Sequence, residues 1–204
     1  MRIGIDFDNT IVRYDGLFHR LAVERGLIPQ ELPRTKRHVR DHLRNIGRED
    51  DWTGLQAEAY GPRLIDAEPF EGVLDFLRAC RAGGVEVTII SHKTRYPYRG
   101  PRYDLHEAAG QWLNAQGFLR SAHTGLMPRR VYFEPTLEAK LARIAACRCT
   151  HFIDDLPEFL AEAGFPPGVE RILFDPHDLY EKSCPWRRMA SFGEMVRMLE
   201  VALP

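Results

Sequence analysis

The sequence predicts an α/β fold, a doubly wound parallel sheet with a small all-helical insertion after its first strand. Three observations carry that expectation. Five short apolar runs, at 2–5, 85–90, 131–133, 151–153 and 171–174, alternate with stretches of helical periodicity. Alternation of this kind builds a parallel sheet with helices on both faces. The run at 85–90 is dominated by Val and Ile, as suits a strand covered on both sides. Residues 15–65, by contrast, hold no convincing strand and set their apolar residues on helical faces.

Each element has its own local reason. The first strand, Arg2–Ile5, runs directly into Asp6, Asp8 and Thr10. A helix near 16–25 opens the insertion, and Pro29 and Pro33 separate it from the next helical stretch. Val39, Leu43 and Ile46 share one helical face, and Trp52, Leu55 and Ala59 share another. We therefore assign 15–65 to the insertion and 1–14 with 66–204 to the core. An insertion placed directly after the Asp6–Thr10 turn is suited to fold over it and exclude water. A helix over 71–81 carries Val73, Leu74, Phe76, Leu77 and Cys80 and stops at Gly83-Gly84. The strand at 85–90 ends at Ser91, and a helix over 104–116 is closed by Gly117. Thr136 is placed to cap a helix over 137–146. The strand at 151–153 ends in Asp154-Asp155, and Pro157 suits the first turn of the next helix. Asp175-Pro176 stops the strand at 171–174. Ser191-Phe192-Gly193-Glu194 has the form of a capping box, opening a last helix with Met195, Val196, Met198 and Leu199 inside.

Composition narrows the function. A chain of 204 residues is one large domain, or one domain with a modest insertion. It is 44% hydrophobic with a formal net charge of -1, a balance that argues against a general nucleic-acid or membrane binder. No stretch approaches the roughly 20 apolar residues of a membrane span. The N-terminus already reads as a strand, not as a signal peptide. Cys80, Cys147, Cys149 and Cys184 include one Cys-x-Cys pair but no zinc-finger spacing. We read them as the reduced thiols of a cytoplasmic protein.

The chemistry lies at the strand ends. Buried carboxylates are costly unless paired or bound to a metal. Asp6 and Asp8 follow one apolar strand, and Asp154 and Asp155 follow another. In open α/β sheets that edge is where ligands bind. Two acidic clusters there point to one shared divalent cation. Were the ligand of such a site a phosphate monoester, it would be a dianion, and a carboxylate nucleophile would add a further negative charge. Their repulsion is roughly 4 kcal/mol per charge pair at 4 Å and an effective dielectric near 20. Attack therefore needs positive charge at the same point. Mg²⁺ held by oxygen ligands supplies most of it, and Lys140 supplies the rest. Lys140 falls near the start of its helix, where the macrodipole disfavours a cation unless an anion lies close.

Four separated motifs resemble those of the haloacid-dehalogenase (HAD) superfamily of phosphohydrolases. Asp6-Phe7-Asp8-Asn9-Thr10 matches its Asp-x-Asp-x-Thr signature, and Thr88-Ile89-Ile90-Ser91 its apolar strand ending in Ser or Thr. Lys140 matches its lysine, and Phe152-Ile153-Asp154-Asp155 its terminal acidic motif. The resemblance implies a Rossmann-like core with the insertion as a small helical cap, and a Mg²⁺-dependent phosphatase working through an aspartyl-phosphate. It implies Asp6 as nucleophile and Asp8 as general acid and base. Asp6, the backbone carbonyl of Asp8, and Asp154 would be metal ligands, with Asp155 holding a metal-bound water. Asn9, Thr10, Ser91 and Lys140 would hold the phosphoryl oxygens. Lys93 is the alternative to Lys140 as the essential cation. The superfamily's dehalogenases lack an acid at the second position, so Asp8 favours phosphoryl transfer.

Two basic stretches bear on the substrate. Arg37, Arg40 and Arg44 share a helical face within the insertion, read as a solvated face or as a surface attracting an anionic substrate. The segment 92–103 mixes cations with Tyr96, Tyr98 and Tyr103, a composition suited to sugar hydroxyls, a base ring or a second phosphate. His92 and Lys93 are its best-placed ligand contacts. The expected substrate is a small phosphomonoester, a sugar phosphate or nucleotide, with no membrane partner and with nucleic acid as the minority reading of the segment 92–103. A phosphotransferase or mutase on the same scaffold, or a non-catalytic phospho-ligand binding module, is the alternative.

Overall fold

The computed structural model describes residues 1–180 and 184–202. The chain divides into two compact units. One comprises Met1–Ile11, Pro69–Lys93 and the chain from Gln116 onward; the other comprises Val12–Glu68 and Thr94–Ala115.

The first unit is built on a six-stranded sheet. Its strands are β1 (Arg2–Ile5), β4 (Glu86–His92), β5 (Val131–Glu134), β6 (His151–Asp154), β7 (Glu170–Phe174) and β8 (Arg187–Met189). They lie in the order β5-β4-β1-β6-β7-β8, and every pairing is parallel. β1 is central: Ile5 stands opposite Ile89 on one side and Ile153 on the other. The chain fills one side of β1 with β4 and β5, then crosses to the other with β6. A topological switch point thus falls between β1 and β6, where such folds open a crevice.

Strand alternation buries both faces. On one face Ile90, Phe152 and Leu173 pack with Ile144 of α7 (Leu137–Ala146) and with Phe159 and Leu160 of α8 (Pro157–Leu160). On the other, Phe174 meets Phe192 of α9 (Phe192–Ala202), with ring centroids 5.1 Å apart. Phe192 also meets Phe76 of α4 (Val73–Ala82) at 5.6 Å. Gly4 makes this packing possible, because a Cβ there would lie 2.5 Å from Phe152 Cδ2. The capping signals act as expected at α7, where Thr136 Oγ1 accepts from Ala139 N–H at 3.1 Å. At α9, Ser191 Oγ accepts from Glu194 N–H at 3.3 Å, but Glu194 Oε2 reaches Ala190 N–H (2.8 Å) instead of Ser191. Two elements of this unit had no sequence signal: the four-residue helix α6 (Ser121–Thr124) and the edge strand β8. β8 reads Arg-Arg-Met and buries only Met189, a pattern with no apolar run to detect, as is common for edge strands.

The second unit carries α1 (Asp15–Glu24), α2 (Lys36–Asn45), α3 (Glu49–Tyr60) and α5 (Leu105–Ala115), with β2 (Val12–Arg13) paired to β3 (Glu68–Pro69). Val39, Leu43, Trp52, Leu55 and Ala59 are buried, but Ile46 is about half exposed at 51% because α2 ends before it. Tyr14, Phe18, Trp52 and Tyr60 form an aromatic cluster. The unit takes in α5, which lies far from 15–65 in sequence. Trp112 of α5 is fully buried and its indole N–H donates to Ala67 O at 2.9 Å. No helix among the described residues is long and apolar enough to cross a membrane.

Candidate active site

The sheet's register brings the motifs to one edge. Asp6 follows β1 directly, and its N–H donates to Ile153 O at 2.9 Å, one residue before Asp154. The chain then turns sharply: Asn9 takes a left-handed conformation with φ 57°, which a short polar residue tolerates. Ile11 N–H closes the turn on Phe7 O at 3.0 Å. Thr10 and Ser91 are buried, Asn9 is half-buried, and Thr10 Oγ1 donates to Asp155 Oδ1 at 3.3 Å.

Two buried lysines meet these acids. Lys140 Nζ lies 2.6 Å from Asp6 Oδ1 and 2.7 Å from Asp154 Oδ2. Its ammonium lies over the Phe159 ring, 4.0 Å from the centroid, a cation–π contact in a desolvated setting. Lys140 is not a solvated surface lysine: it is 3% exposed. Lys93 Nζ contacts both oxygens of Asp8, at 3.0 and 2.9 Å. Sequence reasoning offered Lys93 as a substitute for Lys140 or as a ligand contact and missed this pairing. Its position just past a strand end was the available signal.

Burial dominates the electrostatics. Desolvation pushes Asp6 up to about 7, against the lowering pull of Lys140 and with added repulsion from Asp154 and Asp8. Burial works to lower Lys140, but the charges of Asp154 and Asp6 outweigh it and hold the ammonium above the ordinary lysine range. Oxygens of Asp6, Asp154 and Asp155 all lie within 4.8 Å of one another. When ionised, Asp6, Asp8, Asp154 and Asp155 carry four negative charges against the two positive charges of Lys140 and Lys93, a surplus of two within this set. Three converging carboxylates with such a surplus fit a hard divalent cation such as Mg²⁺. Asp175, at the end of the neighbouring β7, is also buried, but its carboxylate accepts from Leu179 and Tyr180 N–H groups at 2.9 and 3.2 Å and braces its own loop.

Other sequence candidates are engaged elsewhere. His92 is exposed, with Nε2 3.2 Å from Pro135 O. Arg95 pairs with Asp104 at 2.9 Å, Arg99 pairs with Asp50, and Arg102 stacks on Tyr96. Arg37 and Arg40 pair with Asp41, and Arg44 with Glu49. The first two are solvent-facing pairs within α2 and the third links α2 to the start of α3, the arrangement of a solvated charged face.

No family model and no curated protein sequence matches the chain. Solved structures do. A HAD family hydrolase from Deinococcus radiodurans R1 with bound phosphate and sodium aligns over 98% of this chain and 96% of its own, at 17% identity and TM-score 0.62. The fold is that of the haloacid-dehalogenase superfamily. A HAD-hydrolase from Bacillus subtilis bound to magnesium covers 97% of both chains at 12% identity and TM-score 0.54. A dehalogenase aligns over 97% of this chain and 96% of its own at 11% identity and TM-score 0.58. Within this haloacid-dehalogenase fold, Asp6, Asp8, Ser91, Lys140 and Asp154 lie at or face the C-terminal edge of the three central strands β4, β1 and β6.

Proposed function

We propose that the chain is a Mg²⁺-dependent phosphohydrolase acting on a small phosphomonoester, a sugar phosphate or nucleotide, through an aspartyl-phosphate. The observation that carries this reading is the convergence of Asp6, Asp154 and Asp155 oxygens within 4.8 Å, with Lys140 bridging the first two.

An Asp6 oxygen attacks phosphorus and the ester P–O bond breaks. Asp8, which enters this step protonated, gives its proton to the departing alkoxide and is left as the carboxylate. A water then attacks the aspartyl-phosphate, Asp8 takes a proton from it, and inorganic phosphate leaves with Asp6 restored. Asp6, Asp154 and Asp155 would hold the cation, which when bound offsets the charge of the phosphoryl dianion and draws Asp6 toward its ionised form. Lys140 anchors Asp6 against rotation and neutralises part of the charge. Ser91 and the backbone amides around Asn9 are the donors for phosphoryl oxygens, while the Thr10 hydroxyl holds Asp155. Asp8 is what favours this chemistry over dehalogenation. The cysteines stand as free thiols, which supports a reducing, cytoplasmic setting.

The test is hydrolysis of an aryl phosphate by purified protein with Mg²⁺ and with EDTA, alongside Asp6→Asn. We expect activity with Mg²⁺, none with EDTA, and none in a folded Asp6→Asn variant. A variant that keeps half the rate would remove Asp6 as the nucleophile.

A further inference from the structure

We infer that Lys93 is a positioning residue for Asp8: it fixes the orientation of the carboxylate that exchanges protons with the leaving group and with water. The inference rests on the phosphohydrolase reading, in which Asp8 is the general acid and base.

The geometry is specific. Lys93 Nζ contacts Asp8 Oδ1 at 3.0 Å and Oδ2 at 2.9 Å. With both oxygens held, rotation about the last side-chain bond is stopped. That torsion is otherwise broad and roughly two-fold for an aspartate. Proton transfer in a transition state depends steeply on such alignment.

Lys93 is itself held from several sides. Its N–H donates to Glu134 O at 2.9 Å, so the backbone is tied to the end of β5 one residue past β4. Its side chain is 3% exposed, and the ammonium lies 5.4 Å from the Phe7 ring centroid. Phe7 in turn is braced edge-on by Phe133, with centroids 5.5 Å apart. Phe7 lies in the turn after β1, next to Asp8, and Phe133 belongs to β5, so the rings beside the lysine belong to the segments that carry the site. The Asp8 side chain is 23% exposed against 3% for its lysine partner. The carboxylate, not the ammonium, is therefore the group open to a reactant. This separates the two lysines: Lys140 serves the nucleophile and Lys93 serves the acid.

The experiment is a double-mutant cycle of Lys93→Met with Asp8→Asn, read as kcat and KM on alkyl and aryl phosphates. We expect Lys93→Met to lower kcat by about tenfold or more, with KM within about twofold of wild type. We also expect the double variant to be no slower than Asp8→Asn alone, because Lys93 acts through Asp8. Two results overturn the inference: a KM raised about tenfold with kcat kept, which marks a substrate contact, or losses that multiply in the double variant. If the wild-type protein turns over no phosphate ester, the phosphohydrolase reading fails by itself. A crystal structure of Lys93→Met then decides this inference separately. Asp8 spread over several rotamers upholds the positioning role, and Asp8 in its wild-type rotamer overturns it. Should the Met variant not fold, Lys93→Gln, which keeps one donor, carries the same tests with a smaller expected loss.

Discussion

Replacing Lys140 by Met removes one charge from a buried set of three groups. The perturbation is nearly isosteric: Met is unbranched, and its sulfur can rest on the Phe159 ring that the ammonium now faces. The loss is then electrostatic. Each carboxylate–ammonium contact, at 2.6 and 2.7 Å, is attractive by roughly 6 kcal/mol at an effective dielectric near 20. Deleting the lysine leaves Asp6 and Asp154 facing each other at 5% and 0% exposure. The full Coulomb figure will not be lost, because Asp6 already stands at about 7 with Lys140 present and takes up a proton at neutral pH once the ammonium is gone. Breaking a buried pair by removing one partner costs about 3–5 kcal/mol. For a chain of this size that is a Tm lower by roughly 10 °C. The assay is thermal unfolding in EDTA at pH 6 and pH 8.5, repeated with Mg²⁺. The loss should be larger at pH 8.5, where keeping Asp6 ionised becomes the cost. Mg²⁺ at about 100 times its dissociation constant should return up to about 2.7 kcal/mol. A variant melting within about 2 °C of wild type in EDTA at both pH values would refute the reasoning.

Other expectations concern the same site and its support. Asp8→Asn should slow alkyl phosphates more than aryl phosphates, since only the poor leaving group needs the proton; equal losses in kcat would count against its acid role. Asp6 titrates near 7 in the folded, metal-free protein, above its ordinary 3.8. The folded state therefore binds more protons between those values, and Asp6's contribution to stability is present below about pH 4 and lost as pH rises through 7. Urea titrations of wild type against Asp6→Asn across that window should show the downward slope in wild type only; parallel curves would contradict it. Gly4→Ala places a Cβ 2.5 Å from Phe152 Cδ2 and 3.0 Å from Cys149 Sγ. It should destabilise by about 1–3 kcal/mol through overpacking, measured by chemical denaturation, and an unchanged midpoint would show that Phe152 repacks freely.

The strand that positions the site was readable from local pattern. Arg2–Ile5 was expected and found with the same bounds, and the strand expected at 85–90 is Glu86–His92, whose last residues carry the ladder through Ser91. α7 matches its expected span because Thr136 caps it. β8 was not readable, because two arginines and one buried methionine leave no periodicity to detect. The recruitment of 94–115 into the second unit was also hidden, since α5 has the same amphipathic signature whichever partner covers it.

That apolar strands end in acids is legible in local sequence, and so is the expectation that those acids share a sheet edge. Strand propensity, capping and the position of Asp after a strand are properties of a few neighbouring residues. Which cation meets which acid is a product of the long-range fold. Lys140 reaches Asp6 across 134 residues of chain and Lys93 reaches Asp8 across 85. Such pairings depend on strand order and register, with β1 between β4 and β6. That order is set by how the whole sheet buries both its faces, and no local stretch of sequence encodes it.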